Sequence, residues 1–293
     1  MHLPRMFILL SFASALMGMT VPTRAADSFS FTTIDAPGAT DTWVWGINNA
    51  GEIVGAFFTD GDKHSHGFVR SPNGTFTTID APGALSTHPH GINDAGQIVG
   101  TFEDANNQIH GFLRTPDGNF TTIDVPNATT TSANGINRAG EIVGVFEDTN
   151  RLTHGFLRTA TGAFTTINVP GAIETYARAI NSAGQIVGAS ADASYHGHTF
   201  LRAADGAFTM VDPHGATIAS ANGINDAGQV VGFFGRAGAE DHGFVRTATG
   251  TFTTFDNLDQ GAIRVSPLGI NDAGQIVGVF MAGDRLHGFV MTR

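Results

Sequence analysis

Apolar and polar positions along this chain alternate in short bursts, and the bursts recur. Between Phe76 and Thr115 four stretches carry an extended pattern: "FTTID", "HPHGIN", "QIVGTF" and "HGFLRT". β-Branched and aromatic residues dominate them, and the spacing of an amphipathic helix is absent. "NDAG" and "TPDG" fall between them, where Asn, Asp and Gly supply turn conformations. In "FTTID" the Phe and Ile stand three positions apart and so point to opposite faces of a strand. A strand apolar on both faces belongs to a sheet packed on both sides.

The pattern repeats along the whole chain. The Phe of "FTTID" and its variants falls at Phe31, Phe76, Phe120, Phe164, Phe208 and Phe252, in steps of 45, 44, 44, 44 and 44 residues. The Asn of "GIN" and its variants falls at Asn48, Asn93, Asn137, Asn181, Asn225 and Asn271. Two markers therefore agree on six units. Four strands per unit of this length predict an all-β, six-bladed β-propeller of four-stranded blades. The last unit ends at "HGFVMTR" without its own "FTTID", and the first supplies a surplus one at Phe29–Asp35. The N-terminal strand is expected to join the last blade and close the ring, leaving no sheet edge open. An open solenoid would show capping units in place of this complementarity.

Residues 26–293 read as one domain. Ahead of them, Arg5, an apolar run from Met6 to Met17 and "VPTRA" have the layout of a signal peptide spanning 1–25. Export is therefore expected, to the periplasm, the cell surface or the medium, with no membrane insertion after cleavage. The chain has no cysteine and so no thiol chemistry. Loss of Arg5 and Arg24 with the leader takes the formal charge from −11 to −13. Lys63 is the sole lysine, so no basic patch exists and nucleic-acid binding is not expected. A monomer is expected.

"GINDAGQIVG" followed about 15 residues later by "HGFLR" resembles the HAF repeat of bacterial extracellular proteins, named for a His-Ala-Phe triplet. Here the triplet is "HGF" at His66, His110, His154, His242 and His287, and "HTF" at His198. The resemblance spans the six units and implies an exported repeat protein of propeller type. It implies no activity and no catalytic residues.

A residue that every blade repeats answers to blade geometry. The six His-x-Phe histidines are accordingly expected to be scaffold, each buried and bonded to a neighbouring backbone or turn. What varies is a three-residue window before "GIN": "WVW", "HPH", "SAN", "YAR", "SAN" and "SPL". Its middle residue is always small or apolar (Val44, Pro89, Ala133, Ala177, Ala221, Pro267), and its outer pair varies freely. Alternation along a strand puts the constant residue against packing and the outer pair in open space. Both tryptophans and one of the two tyrosines lie in this window. Ile47 and Ile92 share the parity of the outer pair yet should be buried, which the intervening glycine must reconcile.

With "FTTID" outermost, the "GIN" strand lines a central channel, and the window lies at the mouth bearing the longer loops. The expected ligand-binding residues are Trp43, Trp45, His88, His90, Asn134, Tyr176, Arg178 and Asn222. The aromatic rings suit stacking, the amides suit hydrogen bonds, and Arg178 suits a carboxylate. The expected ligand is a carbohydrate or a protein, and the expected role is non-catalytic binding.

The alternative is a polysaccharide lyase on an acidic glycan, with Arg178 neutralising a uronate and Tyr176, His88 or His90 moving the proton. No recognised catalytic motif is present, neither G-x-S-x-G nor a phosphate loop. No cofactor is expected. His88 and His90, two apart on a strand, could share a divalent metal if further ligands reached them. The acids of "TDGDKH" (59–64) and of Glu103–Asp104 and Glu147–Asp148 lack calcium-loop spacing and read as loop acids.

Overall fold

The computed structural model describes residues 29–236, 242–255 and 263–292. The expected leader at 1–25 lies outside them. Among the described residues there is no helix, and the strands form six antiparallel sheets of four. Five sheets are built from consecutive strands. The sixth takes its outermost strand, Ser30–Ile34, from the other end of the chain. Ser30 pairs with Thr292 and Ile34 with Gly288, so the surplus "FTTID" closes the ring as the repeat pattern predicts.

The inner strands of blades 1 to 6 are Ala39–Ile47, Ser86–Ile92, Thr130–Ile136, Glu174–Ile180, Ile218–Ile224 and Ile263–Ile270. They touch one another around the channel, the last against the first. A Cβ at Gly46 would lie 2.8 Å from the carbonyl oxygen of His90, and one at Gly91 would lie 3.0 Å from that of Asn134. The glycine of "GIN" is thus where backbones of successive blades meet, closely enough at Gly46 that a side chain would clash, although blade 4 carries Ala179 at the equivalent place.

Two residues further on, six asparagines lock the blades together. Asn48 donates to the carbonyl of Asn93, Asn93 to Asn137, Asn137 to Asn181, Asn181 to Asn225, Asn225 to Asn271, and Asn271 back to Asn48, at 3.0–3.3 Å. The second amide hydrogen of each goes to the Glu or Gln four residues on, as in Asn137 to Glu141 at 2.8 Å. Its oxygen accepts the main-chain N–H of that same residue, at 3.0 Å from Glu141. Each buried amide is therefore satisfied on three sides, which explains why "GIN" and the following Glu or Gln repeat together.

The apolar core lies between blades. Ile34, from the closing strand, clusters with Val44, Ile47, Ile53 and Phe68 of blade 1 and Val277 of blade 6. Phe68 is completely buried, and burying a phenylalanine to that extent favours folding by about 1.5–3 kcal/mol. The two-faced "FTTID" follows from this arrangement. Its Ile faces the next blade, while its Phe packs within its own, as Phe76 does on Phe68 with centroids 5.1 Å apart.

The repeated histidines are scaffold of a different kind from the expected one. Their partners are side chains and not backbone, and the rings are only partly buried. His110 Nδ1 donates to Asp124 at 3.0 Å, and His66, His198 and His287 donate likewise to Asp80, Asp212 and Asp35. In blade 3 the acceptor is Asn168, 2.9 Å from His154. The register explains it: Gly111 opposite Ile123 sets the residues flanking that pair side by side. His287 and Asp35 thereby clip the closing strand to the last blade. The loop acids also have local work. Asp104 accepts the N–H groups of Asn106 and Gln108 at 2.8 Å, closing its hairpin.

Candidate functional site

Every inner strand carries a β-bulge in the variable window. Pro89 pairs with Gly100 and Gly91 with Val99, which leaves His90 without a partner on the neighbouring strand. Trp45, Asn134, Arg178, Asn222 and Leu268 hold the same place in the other blades. A bulge inserts one residue and reverses the alternation beyond it. Trp45 and Ile47, two residues apart, nevertheless both border the channel, and Ile47 is buried at 8% exposure because it also packs in the inter-blade core.

The channel holds a cavity of about 530 Å³ on its loop-rich side. Trp43, Trp45, His90, Asn134, Tyr176, Arg178 and Asn222 all line it. Its floor is the ring of six isoleucines (Ile47, Ile92, Ile136, Ile180, Ile224, Ile270), which also back a small funnel of about 80 Å³ on the opposite face, beside the asparagine ring.

Blade 1 contributes two indoles stacked on each other, with centroids 5.7 Å apart and planes 16° from parallel. Trp45 also meets the edge of His90 at 5.1 Å. Blade 4 contributes Arg178 beside the ring of Tyr176, 5.5 Å from its centroid. The Tyr176 hydroxyl donates to Glu174 at 2.8 Å. Burial and that carboxylate raise the phenol's pKa above its usual value.

The bulge residues prove less free than their variability suggests. His90 Nδ1 donates to the Ala133 carbonyl of the next blade at 3.2 Å, Asn134 to that of Ala177 at 2.9 Å, and Asn222 to that of Pro267 at 2.9 Å. Ser132 and Ser220 donate to the oxygens of Asn134 and Asn222 at 2.8 Å. Three bulge side chains thus bridge blades as well as lining the cavity. A carbonyl only accepts, so the His90 proton sits on Nδ1. Desolvation first, then the neighbouring His88, push its pKa down to about 3, and the ring is neutral at ordinary pH.

His88 is placed apart from the other candidates. Its Nε2 is hydrogen-bonded to the Ser65 hydroxyl, beneath the tilted ring of Trp45, and burial lowers its pKa. No group of three or more His, Asp or Glu able to hold a metal occurs among the described residues.

Sequence reasoning missed part of the wall. Ala189, Phe233 and Val279 line the cavity from the second strands, opposite Tyr176, Ser220 and Ser266 in register. The signal was the residue after the glycine of "QIVG", which varies as freely as the outer pair.

No family model matches the chain, and no curated protein matches it. Solved structures match its fold. TolB from Acinetobacter baumannii has a TM-score of 0.56 at 13% identity, over 73% of this chain and 53% of that one. The β-propeller domain of the Trilobed protease from Pyrococcus furiosus has a TM-score of 0.51 at 8% identity, over 85% and 82%. Aleuria aurantia lectin in complex with alpha-methyl-L-fucoside has a TM-score of 0.52 at 12% identity, over 88% and 93%. At such identities the likeness is one of fold, which here carries both enzymes and binding proteins. Among the described residues no helix is long and apolar enough to cross a membrane.

Proposed function

We propose that this chain is an exported, non-catalytic binding module of HAF-repeat type, which takes a carbohydrate or protein ligand in the loop-rich mouth of its channel. One observation carries the reading. Six nearly identical blades carry five different outer pairs, ten of the twelve side chains line one space, and both tryptophans of the chain are among them. Aromatic faces with a few polar groups in a concave site are the usual composition of a binding pocket. A fold neighbour that binds a fucoside supports the carbohydrate half of the reading, by analogy of fold.

Proton-transfer groups suited to a lyase are already engaged. The Tyr176 hydroxyl donates to Glu174 and resists ionisation, and His90, its pKa pushed down to about 3, is a weak base. Neither is poised to take a proton from a sugar carbon at neutral pH.

The test is a glycan array and a pull-down from an extracellular fraction, each with wild type, Trp43→Ala and Trp45→Ala. Binding that both substitutions weaken supports the reading. Release of unsaturated product from any uronate polymer would replace it with the lyase. The export part expects a mature N-terminus at Ala26.

A further inference from the structure

We infer that the cavity takes a small molecule with an apolar ring face and one carboxylate, laid across the channel from the indoles of blade 1 to Arg178 of blade 4. This rests on the reading of the cavity as a ligand site and names the ligand's chemistry.

Six blades in a closed ring place blade 4 three positions from blade 1 in either direction. The Trp43–Trp45 stack and the Tyr176–Arg178 pair therefore stand on opposite walls. Arg178 is the only charged residue in a lining that contains no Asp, Glu or Lys. Among the described residues its guanidinium has no hydrogen bond and no ion pair, and its one partner is the face of Tyr176. Its side chain is exposed to the cavity, and the protein around that space lowers its pKa from the usual value. An exposed guanidinium with no anion of its own is open to one from a ligand, and inside a cavity such a pair is screened less than in bulk water.

The lining also selects which anion. A guanidinium presents a planar fork that matches a carboxylate with two parallel hydrogen bonds. One positive charge balances one carboxylate. A phosphate dianion or a dicarboxylate would leave a charge with no second cation to meet it. Neutral polyhydroxyl rings find few open donors, because Asn134, Asn222, His90 and the Tyr176 hydroxyl already serve the scaffold. The isoleucine floor blocks the channel, so the site admits a small molecule or a chain end and cannot thread a polymer. Its volume falls within the roughly 300–1,000 Å³ usual for small-molecule pockets.

A ring with an apolar face and a carboxylate is found both in uronic acids and in aromatic acids, and the probes separate them. The mature protein is titrated calorimetrically with glucuronate, glucose and glucose 6-phosphate, and with indole-3-acetate and indole-3-acetamide. The expected result is that one acid binds at least about tenfold more tightly than its neutral counterpart. The sugar arm adds that the phosphate binds less well than the uronate. Arg178→Gln should abolish the preference for the acid without lowering the melting temperature, since it removes an uncompensated cation. Equal binding of acid and neutral forms, a preference that survives Arg178→Gln, or no saturable binding of either acid overturns the inference. Tryptophan-dependent binding of neutral glycans alone would overturn it while leaving the binding-module reading in place.

Discussion

The side-chain amide of Asn271 donates to the main-chain carbonyl of Asn48, 223 residues away in sequence and 3.1 Å away in space. That bond completes a circle of six, each joining one blade to the next around the narrow end of the channel. Asn137→Ala removes one such link and leaves the Glu141 N–H and the Asn181 carbonyl without their partner. The expected loss is about 1–3 kcal/mol for each buried group left unsatisfied, read from urea unfolding. A variant as stable as wild type would show that water replaces the link and that the ring is incidental.

Closure by the N-terminal strand should matter more than one strand's contacts. Deleting residues 29–35 from the mature protein removes five paired positions, the His287–Asp35 bond and Ile34 from its inter-blade cluster. It also opens two sheet edges. Calorimetry is expected to show a large fall in melting temperature and a broadened transition. A small shift with a sharp transition would mean that the ring holds without its latch.

Much of this was legible in the sequence, for a physical reason. A repeated blade repeats its constraints, so the close approach at Gly46 and the amide network of Asn48 appear as motifs. The complementary ends at Phe31 and "HGFVMTR" revealed the closure in the same way. The bulge was not legible, because it depends on register with a neighbouring strand. It is the bulge that sends Asn134 and Asn222 to carbonyls 43 and 45 residues further on. The pairing of His110 with Asp124 was hidden likewise. A 14-residue separation acquires meaning only once Gly111 and Ile123 are known to be opposite.

Two of the repeated histidines, His66 and His198, should titrate high. Hydrogen bonds donated to Asp80 and Asp212 raise the pKa of His66 and His198 above 6.5. A raised folded pKa means that protonation favours the fold. Their contribution is full below pH 6.5 and is lost as pH rises through the folded value. NMR titration should give midpoints above 6.5 for both rings, and Asp212→Asn should bring the His198 midpoint down. Midpoints at or below 6.5 would contradict the pairing.

His90 should do the reverse. Its folded pKa is near 3, while the unfolded chain takes up the proton near 6.5. Stability therefore falls as pH drops between those values, by at most about 1.4 kcal/mol per pH unit from this group. His90→Asn installs the residue that blades 3 and 5 use at this place, retaining a donor for the Ala133 carbonyl. Urea unfolding at pH 7.5 and 4.5 should show a smaller acid loss in the variant. An equal or larger loss would mean that His90 already ionises in the folded protein.

Both tryptophans of the chain line the cavity, so intrinsic fluorescence reports on that space and on no other. Any ligand identified on the array, or glucuronate, is titrated into the mature protein while tryptophan emission and heat are followed together. If the cavity is the binding site, emission changes saturably with the calorimetric isotherm, and Trp43→Ala and Trp45→Ala each reduce the optical signal and the affinity. A complete calorimetric isotherm with tryptophan emission unaltered would place the ligand elsewhere and contradict the central claim.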